Sequence, residues 1–228
     1  RCGAGIVEVL THINNLPIVK GKIIEAVVND YAEPFELDSS SIVVAGPGLS
    51  VDDMANNLIK KVLTSNCNAV IDADGLNVIS KNRELLKMLH NKVIITPHIK
   101  EMSRLTDISC QDIRENIVKV AKDFSEKYGC ITVIKDATTV IADYNGNVTV
   151  NLSGNSGMST GGSGDVLSGI IGGMLSQILG IYEAACMGVY LHGLAGDYAK
   201  ESKSDYGMIA SDINDAITQI LKYRNGEV

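Results

Sequence analysis

A glycine-rich loop followed by an aspartate is the stretch of this sequence that most directly suggests chemistry. The loop is Gly161-Gly162-Ser163-Gly164, the aspartate is Asp165, and an apolar run with helical spacing follows. Glycines allow successive backbone N–H groups to turn toward one point, and a helix N-terminus adds a partial positive charge there. The stretch therefore predicts a binding site for an anion, such as a phosphoryl group during its transfer.

Asp165 occupies the position at which a P-loop would carry a lysine. Phosphate repels a carboxylate, so Asp165 is either a metal ligand or a base that accepts the proton of a hydroxyl group attacking the phosphorus, and we interpret it as the base. In the alternative interpretation, Asp165 caps the helix and the glycines only allow close packing. A cap does not require three flanking glycines, which favours chemistry at Gly162, Ser163, Gly164 and Asp165. Helix packing is our interpretation of three later glycines, namely Gly169, Gly172 and Gly173.

Composition and charge narrow the class of protein. The chain has 228 residues, of which 45% are hydrophobic and 21% charged, as expected for one large α/β domain. A formal net charge of −7 argues against a protein that binds nucleic acid or an anionic membrane surface. The five cysteines are scattered and odd in number, which predicts reduced thiols. With no signal peptide and no apolar run of membrane-spanning length, we expect a cytoplasmic protein.

Apolar β-branched runs alternate along the chain with segments of helical spacing. This alternation predicts a mostly parallel sheet flanked by helices in a single domain over residues 1–228. Helices are predicted at Asp52–Ser65 and Asp112–Tyr128, and Asn145-Gly146 predicts the tight turn of an antiparallel edge hairpin. The predicted strands are Ile6–Leu10, Ile42–Ala45, Ala69–Asp72, Val93–Thr96 and Ile131–Lys135, followed by the hairpin strands Thr138–Ala142 and Val148–Asn151.

Polar or glycine-containing tripeptides follow three successive predicted strands. They are Gly46-Pro47-Gly48, Asp72-Ala73-Asp74 and Thr96-Pro97-His98. In open α/β sheets, ligands bind beyond the carboxyl ends of the strands. We therefore expect the three tripeptides to border one site. Asp72 and Asp74 either orient Mg²⁺ through water or cap the next helix, and no metal ligand is assigned.

Taken together, these motifs resemble one family. Gly162-Ser163-Gly164-Asp165 is similar to the G-x-G-D signature of the ribokinase-like superfamily, small-molecule kinases whose aspartate is the general base. The longer set of motifs resembles the ADP/ATP-dependent NAD(P)H-hydrate dehydratases, which repair hydrated nicotinamide cofactors. The segments that carry this resemblance are Gly46–Leu49, Asp72–Asn77, Thr96–His98 with Glu101-Met102, and Asn155–Gly169.

The resemblance implies a ribokinase-like fold and a specific reaction. The substrate would be (S)-NADHX or (S)-NADPHX, a reduced nicotinamide with water added across a ring double bond. ADP or ATP, with Mg²⁺, would phosphorylate the ring hydroxyl, and elimination of phosphate would restore the cofactor. Asp165 would take the hydroxyl proton and also contact the substrate. Gly162, Ser163 and Gly164 would present N–H groups to the phosphoryl group, and Gly164 would also lie near the nucleotide.

The resemblance also implies substrate contacts at the strand ends. His98 would contact the hydrated cofactor, although a lone histidine is more often structural. Gly46 and Gly48 would let the dinucleotide approach the backbone while Pro47 stiffens the turn, but a plain strand-to-helix turn has the same composition. The further candidates for the substrate pocket are Asn77, Asn155 and Met158.

A nucleotide-binding segment is implied at the end of another predicted strand. Lys135-Asp136-Ala137-Thr138-Thr139 is similar to the family's K-x-x-x-T segment, with Asp136 in place of a common glycine. Lys135 would pair with phosphates, and Thr138 or Thr139 would hydrogen-bond to them. The alternative is a hairpin connection with a solvated lysine.

The two ends of the chain carry further expectations. Arg1–Gly5 resembles the end of a glycine- and alanine-rich segment near the family's first strand and helix, so we expect the chain to lack those two elements. The C-terminal helices are apolar and rich in glycine, so we expect them to bury one another or a partner. We expect a homo-oligomer.

Two other functions remain open from the sequence. A ribokinase-like kinase for a hydroxymethyl vitamin precursor would share Gly162–Asp165 and differ in its pocket. The Asp72 and His98 tripeptides favour the dehydratase. A non-catalytic nucleotide sensor is the second alternative, but a sensor gains nothing from a carboxylate such as Asp165 beside phosphate.

Overall fold

The first predicted strand lies outside the main sheet. In the computed structural model, which describes residues 1–177 and 180–224, β1 (Glu8–Thr11) and β2 (Val27–Asp30) form a separate two-stranded parallel sheet. The prediction that Ile6–Leu10 belongs to the main sheet is therefore wrong. Both strands carry acidic or amide side chains, which a strand covered by helices on both faces cannot bury.

Six further strands form the main sheet and follow one another in chain order. They are β3 (Ile42–Ala45), β4 (Asn68–Ile71), β5 (Val93–Ile95), β6 (Ile131–Ile134), β7 (Thr139–Ala142) and β8 (Val148–Asn151). The strands from β3 to β6 are parallel, whereas β7 pairs antiparallel with both β6 and β8. Gly146 takes the left-handed conformation in the β7–β8 turn, with φ of 88°. The predicted mostly parallel sheet with an antiparallel edge hairpin is confirmed.

Helices connect the strands and cover the sheet. They are α1 (Leu16–Lys22), α2 (Asp53–Thr64), α3 (Ala73–Lys81), α4 (Arg83–Leu86), α5 (Ile99–Thr106), α6 (Cys110–Glu115), α7 (Ile117–Tyr128), α8 (Ser163–Leu175), α9 (Ile181–Gly207) and α10 (Ala210–Arg224). Short 3₁₀ turns lie at Ile13–Asn15 and Ser156–Met158. No helix within the described ranges is long and apolar enough to cross a membrane.

Local capping residues explain where two of the predicted helices begin and end. The Asp52 carboxylate accepts the Ala55 N–H at 2.8 Å and starts α2, and Gly129 ends α7 with φ of 69°. The predicted single helix Asp112–Tyr128 is wrong, because Asn116 separates α6 from α7. The Asn116 side chain folds back to the Asp112 carbonyl at 3.1 Å, a local bond that favours a helix end.

Apolar side chains are buried on both faces of the main sheet. Neighbouring residues of one strand point to opposite faces. Ile71 therefore joins a core with α2, α3, α5 and α7, while Val70 joins a second core with α8, α9 and α10. Two-sided burial of this kind requires the continuous apolar runs from which the strands were predicted.

Candidate active site

The Asp72 carboxylate joins three elements at the carboxyl edge of the main sheet. Asp72 follows β4 directly and is only 1% exposed. Its Oδ1 accepts hydrogen bonds from Lys135 Nζ at 2.7 Å and the Ala73 N–H at 2.8 Å, and its Oδ2 accepts one from Ser168 Oγ at 2.8 Å. Asp72 therefore caps α3, pairs with the lysine after β6 and holds α8 against the sheet.

The glycine loop leads directly into α8. Gly162 is the N-cap residue with φ of 86°, a conformation that favours glycine, so the alternative interpretation of Asp165 as the cap is wrong. A Cβ atom on Gly164 would lie 3.3 Å from Lys135 Nζ and 3.7 Å from Asp72 Oδ2. The first turn of α8 therefore lies beside the Lys135–Asp72 pair, with Asp165 as its third residue.

Asp165 is exposed, yet its neighbourhood changes its proton affinity. Partial burial of the carboxylate is the largest cause that raises the Asp165 pKa above its usual value. The negative charge of Asp72 raises this pKa further, and the positive charge of Lys135 opposes the rise. A carboxylate with a raised pKa is a stronger base when it is ionised, as the proposed chemistry requires.

His98 is fixed by a reciprocal cap at the start of α5. Its Nδ1 accepts the N–H groups of Lys100 and Glu101 at 3.0 and 3.1 Å, and the Glu101 carboxylate accepts the His98 N–H at 2.8 Å. The proton of a neutral ring therefore resides on Nε2, which lies 3.5 Å from Glu101 Oε1. The ring is 48% exposed, so it combines a structural role with access to a ligand.

Glu101 had no predicted role, although it is buried behind His98. Burial is the main cause that raises the pKa of Glu101, while the His98 N–H and the charge of Lys135 lower it in part. The spacing of a capping residue and a glutamate three positions later is the signal that could have identified it.

The predicted nucleotide segment separates into an inward and an outward part. The Lys135 side chain is 19% exposed and turned toward Asp72. The backbone N–H of Lys135 donates to the Pro97 carbonyl at 2.8 Å. Asp136 pairs with Arg114, with the Arg114 Nε and Asp136 Oδ2 atoms 3.2 Å apart. Ala137 and Thr138 are exposed, as is Asp136, and Thr139 begins β7.

The glycines of the Gly46-Pro47-Gly48 turn differ in their surroundings. Gly46 has φ of 126°, and a Cβ atom there would overlap the carbonyl oxygen of Asp72. Gly48 has φ of 66° with nothing within 4 Å of a Cβ atom. Gly46 therefore allows two backbone segments to pack, whereas Gly48, like the half-buried Pro47, lies where a ligand has access.

Asp74 links this turn to the next predicted substrate residue. Its Oδ2 accepts the Ser50 N–H at 3.0 Å, and its Oδ1 lies 3.3 Å from the amide nitrogen of Asn77. Arg104 Nη1 donates to Asn77 Oδ1 at 2.8 Å. The Asn77 amide is therefore held between α3 and α5, and Asp74 supports the turn. Within residues 1–177 and 180–224, no three His, Cys, Asp or Glu side chains are grouped to hold a metal ion.

Asn155 and Met158 contact α9. Asn155 Nδ2 and the Gly154 N–H donate to the two carboxylate oxygens of Asp197, both at 2.9 Å. Met158 packs against Gly196, where a Cβ atom would overlap its side chain. Asp197 was missed from the sequence, and the signal that could have found it is the pair of glycines, Gly193 and Gly196, inside a helix.

No sequence motif contains His192, but the fold places it at the glycine loop. Its Nε2 lies 3.3 Å from the hydroxyl of Ser163, and Ser163 is buried. Burial lowers the pKa of His192 to about 4. The ring is therefore neutral at neutral pH.

The six-stranded sheet, its edge hairpin and the glycine loop that begins α8 define an α/β protein of ribokinase-like fold. The family model described as NAD(P)H-hydrate dehydratase matches residues 1–219, and the chain belongs to this family. The resemblance of its motifs to that family is confirmed.

Relatives of known name support the assignment. A solved structure of the ADP/ATP-dependent NAD(P)H-hydrate dehydratase from Bacillus subtilis, co-crystallized with ATP/Mg²⁺, has a TM-score of 0.85 and 27% identity, covering 97% of this chain and 80% of that one. The bifunctional NAD(P)H-hydrate repair enzyme Nnr of Coxiella burnetii is 38% identical over 147 residues, 63% of this chain and 29% of that enzyme. The ADP-dependent (S)-NAD(P)H-hydrate dehydratase of Staphylococcus aureus is 30% identical over 146 residues, 61% of this chain and 51% of that enzyme. The match thus spans about half or less of these curated relatives.

Proposed function

We propose that the chain dehydrates (S)-NADHX and (S)-NADPHX to NADH and NADPH and consumes ADP or ATP in the process. The observation that carries the proposal is the place of Asp165, which lies in the first turn of α8, directly after the glycine loop, without capping the helix. Membership in the dehydratase family over residues 1–219 supports this substrate over a vitamin precursor.

The first step is transfer of a phosphoryl group to the ring hydroxyl. The N–H groups of Gly162 and Gly164, with the positive end of α8, stabilise the charge on the phosphoryl oxygens. The predicted use of the Ser163 N–H needs a correction, because this group donates to the Thr160 carbonyl at 3.3 Å. Asp165 accepts the hydroxyl proton while the new O–P bond forms and the bond to the nucleotide breaks. A positioned base of this kind contributes about 10²–10⁴-fold in rate.

The second step eliminates the phosphate that the first step created. Hydroxide is a poor leaving group and phosphate a better one. The lone pair of the ring nitrogen assists cleavage of the carbon–oxygen bond, and loss of a proton from the adjacent carbon restores the ring double bond.

The proposed substrate contacts lie on the turns beyond the strands. His98 offers its Nε2–H, because Nδ1 is engaged by the α5 backbone. Gly48 and Pro47 offer accessible backbone, whereas Gly46 acts by shaping the turn. Three further side chains are proposed to complete the pocket, Asn77, Asn155 and Met158.

The nucleotide is proposed to lie along Lys135–Thr139, with Thr138 exposed for hydrogen bonding to phosphate. Lys135 contributes positive charge behind Gly164 while it stays paired with Asp72. Mg²⁺ would arrive with the nucleotide phosphates and neutralise their charge.

The base role of Asp165 is tested by Asp165→Asn. We expect the variant to bind ADP or ATP at least as tightly as the wild type does, since a negative charge beside phosphate is removed. Turnover should fall by about 10²–10⁴-fold because the hydroxyl proton has no acceptor. Calorimetric titration measures binding and the return of reduced-nicotinamide absorbance measures turnover. Asp123→Asn, at an exposed position of α7, is the control for the charge change. Near-normal turnover of Asp165→Asn would reject the base role.

The products separate the proposal from its two alternatives. Free phosphate together with reduced cofactor supports dehydration. A stable phosphorylated product supports the vitamin-precursor kinase. Nucleotide binding without turnover of any substrate supports the sensor.

A homo-oligomer in the cytoplasm is the proposed working form. Exposed isoleucines near the N-terminus, such as Ile6 at 91% and Ile24 at 84%, support self-association. All five cysteines are free thiols, which supports a reducing compartment. Sedimentation velocity measures the state of assembly, and a monomer at high protein concentration would contradict the proposed homo-oligomer.

A further inference from the structure

One face of α9 contacts the loop from Ser153 to Ser163. Its residues His192, Gly193, Gly196 and Asp197 are spaced so that they share a side of the helix. His192 contacts Ser163, and Asp197 holds the Gly154-Asn155 backbone and amide. At Gly193 and Gly196, a Cβ atom would overlap Ser153 and Met158 respectively. The loop therefore packs on this face of α9 at both its beginning and its end.

His192 is the residue of this face that reaches the anion site. Its Nε2 is 3.3 Å from Ser163 Oγ, and Ser163 is the first residue of α8. Ser163 in turn lies directly between Gly162 and Gly164, whose N–H groups we propose as phosphoryl donors. A change in the His192 ring therefore acts on this segment through Ser163, by way of its hydroxyl group and its backbone.

The neutral ring excludes an ionic role in phosphate binding. Burial is the largest cause of the low His192 pKa, the positive charge of Lys135 lowers it further, and the Ser163 backbone raises it in part. A neutral imidazole has one donor and one acceptor, which suits a hydrogen bond to a hydroxyl group. The ring orients its neighbour and adds no charge.

We propose that His192 is a positioning residue, which holds the Ser163 hydroxyl and the first turn of α8 in the geometry that receives the phosphoryl group. This inference rests on the proposed function of the same site. Because backbone donors stabilise a transition state only when they are aligned with it, loss of the contact lowers kcat more than it weakens nucleotide binding.

The kinetic test compares two substitutions of His192 with one control. His192→Phe keeps a ring and removes the hydrogen bond, and we expect kcat to fall about 10-fold or more with KM for nucleotide changed less than about 3-fold. His192→Gln keeps an amide donor and acceptor and should recover part of kcat. Tyr198→Phe, an exposed position on the same helix, should match the wild type. Equal kcat in His192→Phe and wild type would overturn the proposal.

A double-mutant cycle tests whether His192 acts through Ser163. We expect His192→Phe to lower kcat less in the Ser163→Ala background than in the wild type, because the hydroxyl contact is already absent and only the contact with the Ser163 backbone remains. Fully additive losses would overturn the proposal, since they would show that His192 acts by another route. Thermal unfolding of all four proteins checks that each is folded.

A spectroscopic test separates this proposal from the proposed function. Nitrogen-15 correlation of the imidazole rings resolves the four histidines, and the His192→Phe spectrum assigns His192. We expect the His192 ring signals to move with Ser163→Ala and on addition of ADP with Mg²⁺, without any turnover. Unmoved signals overturn the positioning role, whereas moved signals with an inactive wild type reject only the dehydratase.

Discussion

Two neighbouring charges of opposite sign act on the carboxylate of Asp165. Asp72 raises its pKa and Lys135 lowers it, in addition to the rise caused by burial. These two residues are themselves paired at 2.7 Å, so each partly screens the effect of the other. The pair therefore adjusts an Asp165 pKa that burial has already raised.

Substitutions of the pair should move the acid limb of the pH profile in opposite directions. Asp165 accepts a proton only when ionised, so kcat/KM rises with pH through its pKa. Asp72→Asn removes the charge that raises this pKa and leaves Lys135 unpaired, so the limb should move to lower pH. Lys135→Met does the reverse and should move the limb to higher pH.

The pH dependence of kcat/KM, measured for both variants and for Asp123→Asn, checks this prediction. The control should keep the wild-type limb, because Asp123 pairs with Lys119 on α7. Breaking a buried pair costs about 3–5 kcal/mol, so folding is verified at each pH. Limbs that move in the same direction would contradict the electrostatic explanation.

Residues of the site were predictable where a local motif contained them. Gly162 and Asp165 belong to one short motif, and both lie where the motif predicts, at the start of α8. His192 and Asp197 lie inside a 27-residue helix with no motif around them. Their contacts depend on how α9 packs against a loop 29 to 43 positions earlier in the chain, which local spacing does not encode.

At the scale of the helices, the glycines of α8 differ in whether they pack against a neighbour. The predicted packing role is confirmed for Gly172 and Gly173, where Cβ atoms would come within 2.6 Å of Val44 and 2.5 Å of Cys2. It is wrong for Gly169, which is exposed with nothing within 4 Å. Glycine spacing alone does not distinguish a packed position from an exposed one, because packing depends on residues distant in the chain. A capping residue such as Asp52 acts on its own neighbours, so the helix start could be predicted from the sequence.

Alanine at two helical glycines should have opposite effects on stability. Gly188 of α9 packs on α8, and its Cβ atom would lie 2.6 Å from Ile171 Cγ1 and 3.1 Å from Ile171 Cα. We expect Gly188→Ala to lower the free energy of unfolding by about 1–3 kcal/mol. Gly169→Ala meets no neighbour and should raise it by about 0.5–1 kcal/mol. Urea unfolding measures both, and equal effects would contradict the assignment of the α8–α9 interface.

On the scale of the whole molecule, the proposed anion site lies in a chain of negative net charge. The net charge is −7, yet the proposed site uses local donors, namely backbone N–H groups, a helix N-terminus and Lys135. Continuous apolar runs made the two-sided main sheet predictable. The run Ile6–Leu10 predicted a strand that overlaps β1 but not the separate sheet to which β1 belongs, and β2, which carries Asn29 and Asp30, was not predicted.

The measurement that tests the central claim most directly is recovery of reduced-nicotinamide absorbance from enzymatically hydrated NADH. The protein is mixed with the hydrated cofactor and Mg²⁺, and with ADP, ATP or no nucleotide. We predict that the absorbance returns only when a nucleotide is present, which would also identify the phosphoryl donor. No recovery with either nucleotide, from a folded protein that binds nucleotide, would contradict the proposed dehydration.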